Sequence, residues 1–449
     1  MYNASMQHLS LAHALRAGSS RSIAFTGAGG KTTAMFQLAR ELTQPVIVTA
    51  TSHLGAWQTR WADQHIIAQT PAGLERLEQG WKGITLITGE SDGERTQPIN
   101  DDLLNWLHQF CEDHAIPLLI EADGSREKPL KAWAEHEPPI PAFVDLVVHV
   151  VGLPGLGKPL TDEYVHRAEL FAELSGLRIG EAITQDALTR VLVHSAGGQK
   201  NIPIRARKVL LLNQTDTPEL QSLAKGFSQT LMASFDSAII ASLKHETVLA
   251  VYEPVAGVVL AAGQATRFGQ PKQLLDWKGE PFVRAVAKTA LQAGLSPVVV
   301  VTGAYVEPVE TAVNDLDILA IKNEDWASGQ ASSIKAGIGA LAQYPQTGGV
   351  VFLLADQPQL TTSILHALVQ RHAEGLYPVV APLVMDQRAN PVLFDRVTFP
   401  DLLTLEGDVG GRAVFHKHRV EYLPWHDDRL LLDVDTPEMY QRLLADDTL

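Results

Sequence analysis

The stretch Val258–Lys272, with the sequence VVLAAGQATRFGQPK, decides the fold of the second half of this chain. Its apolar beginning is typical of a buried strand, and that strand runs into a loop containing Gly263 and Gly269. Glycines let a backbone approach a ligand closely and present N–H groups to it. Arg267 and Lys272 add cations that can neutralise a triphosphate. The stretch predicts a nucleotide-binding loop, against the alternative of a strand–turn–helix with incidental basic residues.

Composition places the chain among ordinary globular proteins with more than one domain. Its 449 residues are 45% hydrophobic and 19% charged, and they are too many for one ordinary core. The formal net charge of −15 argues against nucleic acid as a partner. Cys111 is the only cysteine, so an intramolecular disulfide and a thiolate zinc site are both excluded. No signal-peptide pattern and no apolar run of about 18 residues is present, so we expect a cytoplasmic enzyme that does not act at a membrane.

Short apolar runs alternate with longer segments of helical pattern along the chain, which predicts two α/β blocks, the first with βαβ units on a parallel sheet. The runs of the first block are Ser22–Thr26, Val46–Ala50, Ile84–Thr88, Leu118–Glu121, Leu146–Val151, Val209–Leu212 and Ala238–Ser242. Those of the second block are Val255–Leu260, Val298–Thr302, Val350–Leu354 and Val379–Pro382. We expect two domains, residues 1–247 and 248–449.

The second block carries carboxylates and hydroxyls suited to phosphate chemistry. Asp356 follows a buried strand, where it would hold Mg²⁺ at the carboxyl edge of the sheet. The alternative is an N-cap for the next helix, a role that Thr361 or Thr362 fills better. Asp435 is a candidate second metal ligand or a helix cap. A polar loop ends at Ser332 and Ser333, at the predicted N-terminus of a helix. The two hydroxyls could help that helix end to bind an anion, or they could only cap the helix.

Taken together, these motifs resemble those of the molybdenum cofactor cytidylyltransferases (MocA-like) in the MobA-like nucleotidyltransferase group. The resemblance runs from about Val255 to the C-terminus, and Ala265 stands where the signature loop usually has Ser. The matching segments are LAAG at 260–263, Arg267, Gly269, PK at 271–272, NxxWxxGxxSS at 323–333, DQP at 356–358, NPVLF at 390–394, GDxGGR at 407–412 and DVDTPE at 433–438.

The resemblance implies a Rossmann-like (GT-A-like) three-layer sandwich and transfer of CMP from CTP to Mo-molybdopterin. It implies that Arg267, Lys272 and Asp356 are catalytic and that Asp356 and Asp435 hold Mg²⁺. The nucleotide would contact Leu260, Ala261, Ala262, Gly263, Gly269, Ser332 and Ser333. Relatives that use guanylyl donors carry Gly at the position of Ala262, so the resemblance implies CTP.

The first block contains a second glycine loop, Gly27–Thr33, with the sequence GAGGKTT, between a strand-like run and a helical segment. This context predicts a P-loop, in which Gly27, Gly29 and Gly30 cradle phosphates, Lys31 reaches the outer phosphates and Thr32 ligates Mg²⁺. Phe25 stands where the full P-loop pattern has Gly, and a bare turn is the alternative. The segment NQTD at 213–216 matches the base-reading NKxD motif of GTPases, with Gln214 in place of Lys.

Residues 10–245 resemble the YqeC-like family of accessory proteins for selenium-dependent hydroxylases. The resemblance rests on GAGGKTT at 27–33, VTATSH at 48–53, EADGSREKPLKAWAEHEPPIP at 121–141 and VHRAELFAELSG at 165–176. It implies a P-loop domain that binds ATP or GTP and assists delivery of the cofactor to a molybdenum hydroxylase apoenzyme. The residues alone leave three alternatives open. The second domain could transfer to another phosphate acceptor, such as a sugar phosphate, or act as a cofactor chaperone without turnover, and the first domain could be a GTPase or kinase that regulates its neighbour.

Overall fold

The computed structural model describes residues 9–43, 45–74, 77, 81, 83–264, 270–434 and 436–446. The chain divides into two compact units, Met1–Tyr252 and Glu253–Leu449. The strand Thr247–Tyr252 pairs antiparallel with Ser237–Ser242 and so completes the first sheet. The domain boundary expected after residue 247 would separate this strand from its partner, and the structure places the division five residues later.

The first unit is built on a sheet whose strands are parallel apart from the edge strand Thr247–Tyr252. In sheet order these strands are Thr247–Tyr252, Ser237–Ser242, Arg207–Asn213, Leu146–Gly152, Ser22–Gly27, Leu118–Glu121, Val46–Ala50, Ile84–Thr88 and Gln64–Ile67. The expected strands are all present, whereas Gln64–Ile67 and Thr247–Tyr252 were not expected because each is a partly exposed edge strand with a weak apolar pattern.

Most helices of the first unit connect parallel strands of its sheet, and the short helix Leu11–Ala14 precedes the first strand. The helices span Leu11–Ala14, Lys31–Glu41, Asp101–His114, Ala168–Ser175, Gln185–Val193 and Pro218–Leu231. Two short strand pairs lie outside the main sheet, Leu54–Gly55 with Arg95–Thr96 and Leu130–Lys131 with Val165–His166. The central strands are buried along their whole length, which explains why they read as continuous apolar runs in the sequence.

The second unit contains a mixed sheet. In sheet order its strands are Leu319–Lys322, Val298–Thr302, Val255–Leu260, Gly349–Leu354, Val392–Asp395, Val379–Val384 and Gln387–Arg388, and Val420–Pro424 pairs with Val379–Val384. The strand Val392–Asp395 runs antiparallel between its two neighbours, which makes this sheet mixed. The strand Asp276–Trp277 pairs separately with Glu280–Pro281.

Helices cover both faces of this mixed sheet, which gives the expected three layers. Apolar side chains of Phe282–Gln292, Val306–Val313 and Thr362–Ala373 form a core on one face. Side chains of Gln330–Ala340 and Phe399–Leu402 form a core on the other. The last helix, Pro437–Asp446, packs through Leu443 against Trp277 and Phe282.

Candidate functional site

A cavity of about 550 Å³ opens at the carboxyl edge of the sheet in the second unit. The strand Val255–Leu260 ends at this cavity, and its continuation Ala261–Gly263 forms part of the wall. Lys272 and Asp356 line the same cavity. The structure therefore brings together the predicted backbone loop, the predicted phosphate cation and the predicted metal carboxylate.

The pairing of two parallel strands accounts for this convergence. Leu260 lies opposite Leu354 in the sheet, and the N–H of Ala355 donates to the Leu260 carbonyl over 3.3 Å. The two strands thus end side by side; one continues into the glycine loop and the other continues to Asp356. The carboxamide of the buried Gln273 donates to the carbonyls of Ala261 (3.3 Å) and Gly263 (3.2 Å), which fixes the beginning of the loop.

The two serines predicted at a helix N-terminus have different surroundings. Ser333 lines the cavity, and its hydroxyl accepts a hydrogen bond from the Asn323 amide over 3.0 Å. The Ser332 hydroxyl accepts from the same amide over 2.8 Å and donates to the Gly329 carbonyl over 2.8 Å. Ser332 is therefore engaged in holding the turn, whereas Ser333 is the serine positioned beside a ligand.

The N-terminus of the helix Gln330–Ala340 is already approached by a carboxylate. Asp408 lines the cavity and accepts a hydrogen bond from the backbone N–H of Gln330 over 3.3 Å. Gly329, with φ of 116°, packs directly on Gly407, and a Cβ at Gly329 would lie 2.4 Å from the Gly407 carbonyl carbon. This role of Asp408 could not be predicted from the sequence, because its partner is 78 residues away.

Three predicted site residues, Arg267, Gly269 and Asp435, lie outside the described residues. The segment leading to Asp435 is nevertheless anchored next to Asp356. The Gln357 carboxamide donates to Oδ1 of Asp433 over 2.7 Å, and Gln357 directly follows Asp356. Thr361 is the N-cap residue of the helix Thr362–Ala373, so Asp356 does not serve as its cap.

The donor set at this edge fits Mg²⁺. Among the residues that the structure describes, no group of three or more His, Cys, Asp or Glu side chains is placed to hold a metal ion. Asp356 nevertheless offers a carboxylate to a cavity that also contains the cation Lys272. Mg²⁺ is commonly held by one or two carboxylates with substrate phosphates completing its coordination. This arrangement suits an ion that arrives with a nucleotide.

In the first unit, the predicted glycine loop joins the central strand Ser22–Gly27 to the helix Lys31–Glu41. Gly27, Gly29 and Gly30 have φ values of 96°, 83° and 115°, which side-chain-bearing residues rarely adopt. A Cβ at Gly27 would lie 2.2 Å from the Val150 carbonyl oxygen. The loop therefore requires glycine for both its conformation and its close packing.

Lys31 is buried at the first position of that helix, with 3% of its surface exposed. Its ammonium group donates to the Gly27 carbonyl over 2.8 Å and lies 3.4 Å from Oδ1 of Asp123. Burial alone would raise the pKa of Asp123, but Lys131 and Lys31 outweigh burial and hold that pKa at about 2. Asp123 is therefore a fixed anion that holds the Lys31 ammonium beside the loop.

The Thr32 hydroxyl donates to Oε2 of Glu121 over 2.7 Å. Glu121 ends the strand next to the glycine-loop strand, opposite Phe25. Burial raises the pKa of Glu121, while Lys31 and the Thr32 hydroxyl act in the opposite direction. The pair of a hydroxyl and a buried carboxylate beside the loop is a chemically suitable donor set for Mg²⁺ bound with phosphates.

A polar network that the sequence did not predict supports Asp123. Its Oδ2 accepts hydrogen bonds from the Trp133 indole over 2.7 Å and from Lys131 over 2.9 Å. Lys131 also pairs with Glu137 at 3.2 Å, and Glu137 in turn accepts two hydrogen bonds from Arg167. The ammonium of Lys131 is thus neutralised within the fold. The density of charged residues between 121 and 137 was the only available signal.

No helix within the described part of the chain has the length and apolarity needed to cross a membrane.

Comparison with known proteins assigns each unit separately. The profile of the YqeC protein family matches residues 23–169. The profile of the MobA-like NTP transferase domain matches residues 257–422. The first match contains the glycine loop and the polar network around Asp123, and the second contains the cavity with Lys272 and Asp356.

Individual relatives show the same division. The uncharacterized protein YqeC of Escherichia coli is 31% identical over 243 residues, 51% of this chain and 85% of that protein. A nicotine blue oxidoreductase of Paenarthrobacter nicotinovorans is 34% identical over 42% of this chain and 96% of that protein. The molybdenum cofactor cytidylyltransferase of Escherichia coli is 26% identical over 40% of this chain and 91% of that protein.

Among solved structures, Rv0371c from Mycobacterium tuberculosis is 30% identical with a TM-score of 0.39, covering 43% of this chain and 98% of that one. The profile matches and the relatives agree with the motifs of both units. The chain therefore belongs to the YqeC protein family through its first unit and to the MobA-like NTP transferase family through its second.

Proposed function

We propose that the second unit transfers CMP from CTP to Mo-molybdopterin, giving the cytosine dinucleotide form of the cofactor and pyrophosphate. The observation that carries this proposal is the single cavity lined by the Ala261–Gly263 backbone, Lys272 and Asp356. Backbone N–H groups, a cation and a carboxylate are what a metal–triphosphate requires.

In the proposed reaction, a terminal phosphate oxygen of the molybdopterin attacks the α-phosphorus of CTP. A new P–O bond forms there while the bond to the pyrophosphate oxygen breaks. The attacking phosphate is already ionised, so the site needs to position charges rather than supply a general base. Lys272 would stabilise the charge that develops on pyrophosphate. Mg²⁺ held by Asp356, with Asp435 as the second candidate ligand, would supply further neutralisation of the phosphate oxygens.

The choice of CTP rests on Ala262 and on the cytidylyltransferase relative. Ala262 is 3% exposed and its methyl group packs in the apolar core beside Gly303, so the residue bears on CTP only through the resemblance, in which guanylyl-using relatives carry Gly at this position. The molybdenum cofactor cytidylyltransferase of Escherichia coli aligns with this chain over 91% of its own length.

For the first unit we propose an accessory role in which the glycine loop binds the phosphates of ATP or GTP. Lys31 and Thr32 would contact the phosphates and a Mg²⁺ ion, and Asp123 would position Lys31. The unit would then assist delivery of the finished cofactor to a molybdenum hydroxylase apoenzyme in the cytoplasm. Joining the two units in one chain raises the local concentration of each partner.

The decisive test is pyrophosphate release with Mg²⁺ and molybdenum-loaded molybdopterin, comparing CTP, GTP and ATP, with the pterin product identified by mass. We expect a CTP-selective dinucleotide product. Pyrophosphate release that occurs only with a different phosphate acceptor would assign another transferase substrate. Absence of release with every nucleotide would overturn the transferase assignment and favour a chaperone, or a redox activity of the kind named for the nicotine blue oxidoreductase relative.

A further inference from the structure

The segment NQTD at 213–216 is attached directly to the glycine loop of the first unit. Asn213 is buried at the end of the strand Arg207–Asn213, and its side-chain amide donates to the Gly29 carbonyl over 2.8 Å. The Asn213 side-chain oxygen accepts from the backbone N–H of Leu243 over 3.1 Å. One asparagine thus joins the glycine loop to the chain that follows the next strand, Ser237–Ser242.

This junction holds an exposed carboxylate in a defined place. Asp216 lies on the surface three residues after Asn213, and the Ser242 hydroxyl donates a hydrogen bond to its Oδ1. The intervening Thr215 is buried, and both its N–H (3.2 Å) and its hydroxyl (2.9 Å) donate to the Ala241 carbonyl. An exposed aspartate that accepts a hydrogen bond from Ser242, and whose preceding residue is held by the same strand, has less side-chain freedom than a fully solvated aspartate.

Gly152 and Gln214 pack in succession beside the glycine loop. Gly152 lies against Gly29, since a Cβ at Gly29 would be 2.4 Å from the Gly152 backbone. The Gln214 side chain covers Gly152 on its other side, because a Cβ at Gly152 would be 2.6 Å from the Gln214 amide oxygen. Gln214 itself adopts φ of 63°, which turns its side chain over this glycine. The Gln214 carboxamide therefore lies over Gly152, which itself packs on the glycine loop.

We propose that Asn213, Gln214, Asp216 and Ser242 form the base-binding end of the nucleotide site and that this site selects guanine nucleotides. The inference rests on the proposed phosphate site at the glycine loop, and it replaces the open choice of ATP or GTP with GTP or GDP. An ionised aspartate only accepts hydrogen bonds. Guanine presents two adjacent donors, N1–H and the 2-amino group, which one carboxylate can bind together. Adenine has an acceptor at N1 and lacks the 2-amino group, so the same carboxylate would face a lone pair.

Gln214 gives the site a neutral planar side chain beside the base, where the related motif of GTPases has lysine. A carboxamide face can lie against a purine ring, so the substitution preserves a packing surface while removing a positive charge. Asp216, rather than residue 214, carries the discrimination between bases. The preference for guanine therefore depends on the carboxylate of Asp216, which is exposed and can be changed without altering the core of the fold.

The test measures GDP and ADP affinity of the full chain by fluorescence with labelled nucleotides. We expect GDP to bind at least about tenfold more tightly than ADP, the discrimination typical of a bidentate base contact. Binding should be lost in Lys31→Ala and kept in Asp356→Asn, which locates it in the first unit. Equal, Lys31-dependent affinity for both nucleotides would overturn guanine selection while leaving the phosphate site intact. Binding of neither nucleotide would overturn both proposals.

A variant that should change the preferred base from guanine to xanthine provides a sharper test. Xanthine carries a carbonyl where guanine has the 2-amino group, so it presents an acceptor that an asparagine amide can meet. Asp216→Asn should therefore weaken GDP binding and strengthen xanthosine diphosphate binding, each by about tenfold or more. The matched control is Asp186→Asn, at an exposed aspartate in the first turn of the helix Gln185–Val193, which should change neither affinity. Loss of GDP binding without a gain for the xanthine nucleotide would show that Asp216 does not read the base.

Discussion

The carboxamide nitrogen of Gln357 lies 2.7 Å from Oδ1 of Asp433, and this hydrogen bond joins two segments that are 76 residues apart in sequence. Gln357 is buried immediately after Asp356, while Asp433 lies two residues before Asp435. The bond therefore fixes the C-terminal carboxylate segment beside the predicted metal ligand. Its role is one of positioning, because neither partner needs to contact the nucleotide for the two segments to be aligned.

Exchanging the amide of Gln357 and the carboxylate of Asp433 provides a first prediction. Gln357→Glu places two carboxylates at hydrogen-bond distance, and their repulsion should displace the Asp433 segment and lower CMP transfer by about tenfold or more. Adding Asp433→Asn restores one carboxylate and one amide in exchanged positions, so the double variant should recover most of the transfer rate. The measurement is pyrophosphate release as a function of Mg²⁺ concentration, together with Mg²⁺ binding by calorimetry in the presence of CTP. A double variant as impaired as the single one would contradict the positioning role.

Asp356 and Lys31 yield a second prediction because each belongs to a different unit. Asp356→Asn removes a charge at nearly constant volume and should reduce transfer by on the order of 100-fold or more while leaving the unfolding transition unchanged. Lys31→Ala should abolish nucleotide binding by the first unit and spare transfer. Each variant is the other's control. Transfer at the normal rate in Asp356→Asn would remove this residue from the metal site.

The contact between Gly329 and Gly407 yields a third prediction. Gly329→Ala would bring a Cβ within 2.5 Å of the Asp408 backbone nitrogen at a φ of 116°, so it should destabilise the second unit by about 1–3 kcal/mol and impair nucleotide binding. Gly339 provides the matched control in the helix Gln330–Ala340, since a Cβ there meets nothing within 4 Å. Gly339→Ala should stabilise the unit by about 0.5–1 kcal/mol. Urea unfolding and CTP binding measure both effects, and similar results for the two variants would refute the close-packing argument.

His149 yields a fourth prediction, on the pH dependence of the first unit. Burial lowers the pKa of His149 from 6.5 to about 4, even though Asp123 acts in the opposite direction. Between these two values the unfolded chain binds a proton that the folded chain does not, so stability is complete above pH 6.5 and falls by about 3 kcal/mol as the pH drops to 4.

His149→Gln should remove most of this acid sensitivity. Hydrogen exchange of peptides from Leu146–Gly152 at pH 7 and pH 5 measures the local effect. The matched control is His194→Gln, at an exposed histidine of the same unit, which should leave the acid sensitivity unchanged. An equal loss of protection at pH 5 in the wild type and His149→Gln would show that other groups cause the acid sensitivity.

Much of the architecture was predictable because buried strands carry a strong local signal. The runs Val46–Ala50, Ile84–Thr88 and Val298–Thr302 have the same bounds in the structure as in the sequence-based prediction. The strand Val392–Asp395 was not predicted. Nothing in its four residues indicates that it lies inside the sheet and runs antiparallel to the strands on either side. Direction in a sheet depends on the whole connection and not on the strand's own composition.

The sequence by itself determined the two glycine loops, the carboxylate Asp356 after its strand and the family of each unit, because backbone conformation and strand burial are encoded within a few neighbouring residues. Only the tertiary structure decided which side chains meet: Lys31 with Asp123, Asn213 with Gly29 and Gln357 with Asp433. These contacts join residues separated by 76 to 184 positions. Parallel strands bring distant loops to one edge of a sheet, and no local pattern specifies which of those loops become neighbours.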